Sequence, residues 1–344
     1  MKKYFAFLTV ATGLCFCVSQ TSAQARHYFS FQRPMSDNGV IIHKTKYDFS
    51  NFAKKITEGT NSNYEKIKAI YQWICDNIDY DTSYNIHDAD QCIEKGRGVC
   101  QAYCELFYHL AKAVDVQVDI ITGKAKDHNG NIAKLCHVWL YAYTDSEHGI
   151  LLDPTWGAGS TKNGKFVRSK NCWLWFDVTP EWMILSHYPD DKAYQFLSKP
   201  VSRKEFRLMP PVNTLWLDFG LDGRELYQMA RAQKLALPQV FTGCEGDIEL
   251  IDFPHSKTLR IGQLYTFRIK MKSGRNFSIW NNKNFSKAAA WTDEGDNVYS
   301  ITFMPKEPGE VGISLQAEGR NYWNSVVKYG IEQPTETDSK NLEE

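Results

Sequence analysis

Three residues of this 344-residue chain have the types and the order that acyl transfer needs. Cys100 offers a thiol in GRGVCQAYCELF, His137 an imidazole in LCHVWLYAY, and Asp153 a carboxylate in LLDPTWGAG. A thiolate is a strong nucleophile, an imidazole can take the thiol proton, and a carboxylate can fix the imidazole tautomer and offset its charge. Each of the three sits where a secondary-structure element should begin or end.

Periodicity gives the elements that must position them. Gly96, Arg97 and Gly98 interrupt regular structure, after which Tyr103, Phe107, Leu110 and Val114 recur at helical steps. Cys100 therefore falls in the first turn of a buried helix, where the helix dipole and unpaired N–H groups favour thiolate. The backbone N–H groups of Cys100 and Gln101 are candidates for an oxyanion hole, with Trp73 or Gln91 as side-chain donor. Cys104, one turn later, reads as structural. Residues 135–144 read as a strand with His137, Trp139 and Tyr141 on one face, and residues 149–153 as the next strand. A hairpin centred on Asp145 would set His137 opposite Asp153, and any other centre would call for a bulge.

Around this core, Ser62 and Glu65 are spaced as a capping box. Ile67, Ile70, Trp73, Ile74 and Ile78 follow on one helical face that should pack on the Cys100 helix. Residues 79–95 read as a polar loop at the rim of a cleft, and 116–123 as a short strand. Residues 154–171 read as a mobile loop, in which Trp156 is a candidate wall of a substrate groove. His128 and His148 read as solvated loop residues. Residues 173–178 read as a strand, Pro180 as the first position of a short helix, and Ser202 to Glu205 as a second capping box. Pro210-Pro211 marks a boundary. Beyond it, Arg224 opens a possible helix, and then alternation takes over at Tyr265, Phe267, Ile269 and Met271, and again at Val311, Ile313 and Leu315. That is the pattern of an antiparallel β-sandwich of immunoglobulin-like type.

Lys2 and Lys3, the apolar run over 4–18 and the small residues over 21–25 form a secretory signal peptide, too short to span a bilayer. The expected protein is exported by this signal to the periplasm, cell surface or medium, without a transmembrane segment. Its removal leaves seven of the nine cysteines, an odd number that implies a free thiol, with Cys75–Cys92 a conceivable disulfide. Neither paired CxxC nor HExxH spacing occurs, so no metal or other cofactor is expected. Forty basic residues balance forty acidic ones, which gives no reason to expect a nucleic-acid partner.

GVCQAYCELF, CHVWLY and LLDPTWGAG together resemble the core of the transglutaminase-like superfamily. The segments DPTWGAG and WLWFDVTPEWMILSHYPDDKAYQFL, with IYQWICDNIDYD upstream, resemble its kyphoscoliosis-peptidase branch more narrowly. The resemblance spans about residues 61–213. It implies a papain-like α+β fold, a Cys100–His137–Asp153 triad and a peptide or protein substrate. The resulting organisation is a signal peptide at 1–25, an N-terminal arm at 26–60, a catalytic domain at 61–213, a β-sandwich at 214–331 and a disordered tail at 332–344. Peptidase or amidase action through a thioester is the leading expectation. Amine transfer by a transglutaminase uses the same residues, and a non-catalytic scaffold would retain the fold without needing the triad. An activated Cys100 should be the most readily alkylated thiol, with the other cysteines slowed by apolar or structural surroundings.

Overall fold

The computed structural model describes residues 42–127, 129–232, 237–272, 274–282, 284–286 and 291–334. The expected signal peptide, the arm as far as residue 41, His128 and the tail from residue 335 lie outside the described residues.

Helix α1 (Ser50–Ile56) occupies part of the stretch read as an arm. Helix α2 (Asn63–Asn77) starts where Ser62 Oγ accepts from Glu65 N at 3.2 Å. Only half of the expected capping box forms, because the Glu65 carboxylate accepts from Asn61 N (2.6 Å) instead of Ser62 N. Residues 79–95 are not one loop: they hold strand β1 (Asp79–Tyr80) and helix α3 (Ala89–Lys95). The extended Asp88 caps α3 by accepting from Gln91 N, and Gly96 closes it at φ 66°, a left-handed position that suits glycine. Strand β2 (Arg97–Gly98) pairs in parallel with β1 and fixes the chain just ahead of helix α4 (Cys100–Lys112). The stripe Ile67, Ile70 and Ile74 of α2 shares one core with Tyr103, Phe107 and Leu110 of α4, as their helical spacing requires. Phe107 is fully buried there, so its truncation to Ala would cost about 3–5 kcal/mol.

Strands β3 (Val118–Ala125), β4 (His137–Tyr143) and β5 (Gly149–Leu152) form an antiparallel sheet in the order β5-β4-β3, which a further strand extends beside β3. Alternation divides their side chains between two cores. Val118, Ile120, Val138, Leu140 and Leu152 join the core with α2 and α4, and Ile121, Trp139, Tyr141 and Leu151 join a second core behind the sheet. With both faces covered, β4 is buried at every position, which explains its unbroken apolar run.

The stretch 154–171 is also ordered. Helix α5 (Pro154–Ala158) leads into a hairpin of β6 (Gly159–Lys162) and β7 (Lys165–Arg168). Asn163 and Gly164 both have positive φ (52° and 73°), the two-residue Asn-Gly hairpin turn. Residues 173–178 do not form a strand. Asn171 Oδ1 accepts from Trp173 N and winds Cys172–Trp175 into a 3₁₀ turn, leaving a single bridge between Val178 and Leu151. Helix α6 (Pro180–Ser186) begins with Pro at its first position, and β8 (His187–Pro189) then pairs with β3. The second capping box forms in full at the start of α7 (Arg203–Leu208).

Two helices follow Pro210-Pro211, α8 (Leu215–Asp218) and α9 (Gly223–Arg231), before the sheets begin. The strands are β9 (Gln239–Val240), β10 (Ile248–Asp252), β11 (Thr258–Arg260), β12 (Tyr265–Met271), β13 (Phe277–Asn281), β14 (Asn284–Ser286), β15 (Thr292–Gly295), β16 (Val298–Phe303), β17 (Gly309–Gln316) and β18 (Trp323–Glu332). One sheet runs β10-β12-β16-β15 and the other β11-β18-β17-β13-β14, with β9 against β18. Their inner faces meet at Phe267–Tyr329 (ring centroids 5.5 Å apart) and Phe277–Tyr299 (4.8 Å). The fold is therefore α+β, a mixed core followed by a β-sandwich that is antiparallel except where β11 pairs in parallel with β18. The sandwich interior is continuous with the core behind β3–β5, through Trp216, Phe219 and Leu226. Gly223 lies directly on Trp182, and Leu250 N donates to Phe219 O (2.7 Å), so α8 and α9 pack on both halves. Among the described residues no helix is long and apolar enough to cross a membrane.

Candidate active site

Cys100 is the first residue of α4, directly after the extended Val99. Cys100 and Gln101 precede the first main-chain bond of the helix, Tyr103 N to Val99 O (3.1 Å). The helix can come this close because Gly98 has no side chain: a Cβ there would lie 2.6 Å from Ala102 Cβ and 3.1 Å from Cys92 Sγ. One turn on, Cys104 Sγ lies 3.5 Å from Val138 O, which docks α4 on β4 beside His137. Cys100 and His137 lie close enough for each to shift the other's pKa. Burial alone would raise the thiol pKa, but the neighbouring His137 outweighs it, and the pKa is held below that of an ordinary thiol.

The hairpin that brings His137 to Asp153 pairs Leu140 with Leu152 and Tyr143 with Gly149, so it is centred on residue 146. Continuing that register sets Asp153 opposite Trp139, two residues from His137 and on the same face. A diagonal pair is within reach of long side chains, so no bulge is needed. The expectation that a shifted centre requires one is thereby corrected.

Asp153 is completely buried and caps α5. Its Oδ1 accepts from Thr155 N (2.8 Å) and Trp156 N (3.0 Å), while Oδ2 accepts from His137 Nε2 at 2.6 Å. A second imidazole reaches the same oxygen: His187 Nε2 lies 3.0 Å from Oδ2. Burial opposes ionisation of Asp153, but the two histidines hold its pKa well below the usual carboxylate range. For His137, burial disfavours the imidazolium, yet the Asp153 carboxylate and Cys100 push its pKa up to about 10. Burial instead pushes His187 down to about 4, which keeps it neutral.

His187 lies in WMILSHYPDD, a segment that enters the expectations only through the family resemblance. The available signal was its place as the residue ending the α6 pattern, directly before Tyr188-Pro189. Trp156 lies on α5 and is half-buried, its ring 5.7 Å from His137 and 4.5 Å from His187. It packs edge-on to Trp175 at 4.9 Å. The side-chain donors considered for the oxyanion lie elsewhere: Trp73 packs edge-on to Phe52, and the Gln91 amide donates to Asp88 at 2.5 Å. His137, Asp153 and His187 place their donor atoms within 4.8 Å of one another, close enough to suit a metal ion. Both Nε2 atoms nevertheless converge on one carboxylate oxygen, the pattern of two N–H donors on one acceptor rather than of ligands around a centre.

Cys75, Cys92, Cys100, Cys104, Cys136, Cys172 and Cys244 are all free thiols. Cys75 lies beside Cys172, while Cys92 packs under Gly98, so the conceivable Cys75–Cys92 disulfide does not form. Cys136 is exposed and thus accessible, against the expectation that every thiol other than Cys100 is shielded.

Residues 50–154 match the family model described as the transglutaminase-like superfamily. Kyphoscoliosis peptidases of Mus musculus and Homo sapiens are each 26% identical over 175 residues, covering 47% of this chain and 26% of theirs. The chain thus matches about a quarter of the length of these curated relatives. Among solved structures, a candidate cysteine protease from Cytophaga hutchinsonii is 24% identical over 31% of this chain and 36% of its own, with a TM-score of 0.26. A structure described as a TGase is 20% identical over 38% of this chain and 37% of its own, with the same TM-score of 0.26. Residues 50–154 are thus similar to the transglutaminase-like superfamily, a group of cysteine-enzyme type. Its curated relatives point within that superfamily to the kyphoscoliosis-peptidase-like branch.

Proposed function

We propose that this chain is an exported cysteine peptidase or amidase, with Cys100 as nucleophile, His137 as acid and base, and Asp153 as the group that orients and charges His137. The observation that carries this reading is a buried imidazole held between a thiol and a fully buried carboxylate. Because His137 Nε2 is taken by Asp153, Nδ1 is the nitrogen left to hold the Cys100 proton. The thiolate attacks an amide carbonyl, and the tetrahedral oxyanion is met by N–H groups at Cys100 and Gln101. His137 then gives its proton to the departing amine, leaving a thioester that water hydrolyses to a carboxylic acid. Trp156, packed on the two histidines, stands where it can wall the acyl site. Capture of the thioester by an amine in place of water would make the same site a transglutaminase.

The test is to incubate the protein with a peptide library, with and without a primary amine, and identify products by mass. New carboxyl termini or deamidated side chains, lost in Cys100→Ala and in His137→Ala, are the expected outcome. Amine adducts in place of acids would reassign the reaction to acyl transfer. Products that persist in Cys100→Ala would end the nucleophile assignment.

A further inference from the structure

Behind the three groups just assigned stands a fourth that they do not account for. His187 is fully buried at the start of β8, and both of its ring nitrogens are engaged. Nε2 lies 3.0 Å from Asp153 Oδ2 and Nδ1 lies 2.8 Å from Ser186 Oγ. Its ring is packed against three indoles, with centroids 4.5 Å from Trp156, 5.0 Å from Trp175 and 5.1 Å from Trp139.

The hydrogen-bond inventory settles the tautomer. An ionised carboxylate only accepts, so the His187 nitrogen facing Asp153 carries the proton. In a neutral ring the other nitrogen is then an acceptor, and Ser186 Oγ–H donates to it. His137 Nε2 also donates to Asp153 Oδ2, at 2.6 Å. One carboxylate oxygen thus receives two imidazole N–H groups, while the other receives two backbone N–H groups of α5. Neither oxygen can turn without breaking two bonds.

We propose that His187 is a positioning residue, a neutral imidazole that donates to Asp153 and so fixes the oxygen on which His137 is held. The proposal rests on the triad reading above and deepens it. The donated N–H draws charge from Oδ2, so the carboxylate holds the His137 proton less tightly than an unshared carboxylate would. His137 is then a strong enough acid to release a proton to a leaving amine. Ser186 acts one step further out by keeping the His187 proton on Nε2, the role that outer partners play for other oriented histidines. The titratable groups facing His187 are Asp153 and His137, with Cys100 beyond His137. Tyr194 and Gln195 line the space on its other side, together with Met183 and Ile184 of α6.

The test measures iodoacetamide labelling of Cys100 against pH in the full-length protein, with the labelled peptide identified by mass so that Cys136 does not interfere. In the wild type, the upper inflection reports loss of the proton from His137. His187→Phe retains a ring among the three indoles but removes the donor, and should move that inflection up by about one pH unit. His187→Gln keeps an N–H for Asp153 and an oxygen for Ser186, and should restore the wild-type profile. A His187→Phe profile that overlays the wild type would overturn the proposal and leave His187 as packing. Should His187→Phe fail to fold, Ser186→Ala replaces it, with an upward shift expected and an unmoved inflection overturning. His137→Ala separates the two levels of argument. If it leaves the wild-type profile unchanged, the triad reading itself fails. A profile that needs His137 but ignores His187 sinks only this inference.

Discussion

Replacing Asp153 with Asn changes one atom of the site and should dismantle its charge. Asn Oδ1 can keep accepting from Thr155 N and Trp156 N, so the cap of α5 survives. The Asn Nδ2 group then faces His137 Nε2–H and His187 Nε2–H, donor against donor. His137 must move its proton to Nδ1, and its imidazolium loses the buried counter-charge. The imidazole now titrates near pH 10 instead of 6.5, and this gap of about 3.5 pH units corresponds to about 5 kcal/mol. That figure is a net one, left after burial has lowered the imidazole pKa and Asp153, with Cys100, has raised it. Burial alone would hold His137 below its ordinary value, so without Asp153 the imidazolium that favours the thiolate is lost and iodoacetamide labelling of Cys100 at pH 6 should fall several-fold. The pH dependence of stability has a definite sign. His137 gains a partner on folding, so its contribution is fully present below pH 6.5 and is lost as pH rises through about 10. The lowered Asp153 contributes above its unfolded value of 3.8 and loses that contribution as pH falls below it. Urea melts of wild type and Asp153→Asn should therefore differ most between those two bounds, pH 3.8 and 6.5, and converge toward pH 10. Labelling within twofold of wild type at pH 6, together with a stability difference independent of pH, would refute the reasoning.

Two further outcomes follow from packing. Gly157→Ala should destabilise the protein by about 1–3 kcal/mol in a urea melt, because its Cβ would fall 1.9 Å from the Tyr71 hydroxyl that donates to Cys172 O. Tyr71→Phe in the same chain should recover part of that loss. Truncation after residue 213 should give an aggregating product, since it removes α9 from Trp182 and uncovers the core behind the sheet. Truncation after residue 232 retains α8 and α9 and should raise soluble yield, and equal yields would show that the two helices do not support the core.

Much of the site was legible in the chain because its signals are local. Gly96 to Gly98 ahead of a helical stripe puts Cys100 at a helix start, and the stripe's spacing already says which face is buried. His137 opens an apolar run, and Asp153 stands before Pro154 at a strand end. What was missed is instructive for the same reason. Asn163-Gly164 is a hairpin signal, but it lies inside a stretch rich in glycine and basic residues whose composition reads as a loop. The aromatic run 173–178 has strand-like composition, but Asn171 captures Trp173 N and winds it into a turn. Composition counts side chains and does not register a competing local acceptor.

By itself, the sequence determined the α+β class, the helix that begins at Cys100, the two strands that carry His137 and Asp153, and the later β-sandwich. Those follow from periodicities of two and 3.6 residues, which the backbone imposes wherever one face is buried. The tertiary structure decided the hairpin centre at residue 146, and hence a diagonal rather than directly opposed His137–Asp153 pair. It also decided that His187, 34 residues beyond Asp153, shares its carboxylate oxygen. Register depends on the whole set of cross-strand contacts, and a hydrogen bond between β8 and the end of β5 depends on how four strands stack. Neither has a local signature, because each is fixed by the competition of distant segments for the same buried polar atoms.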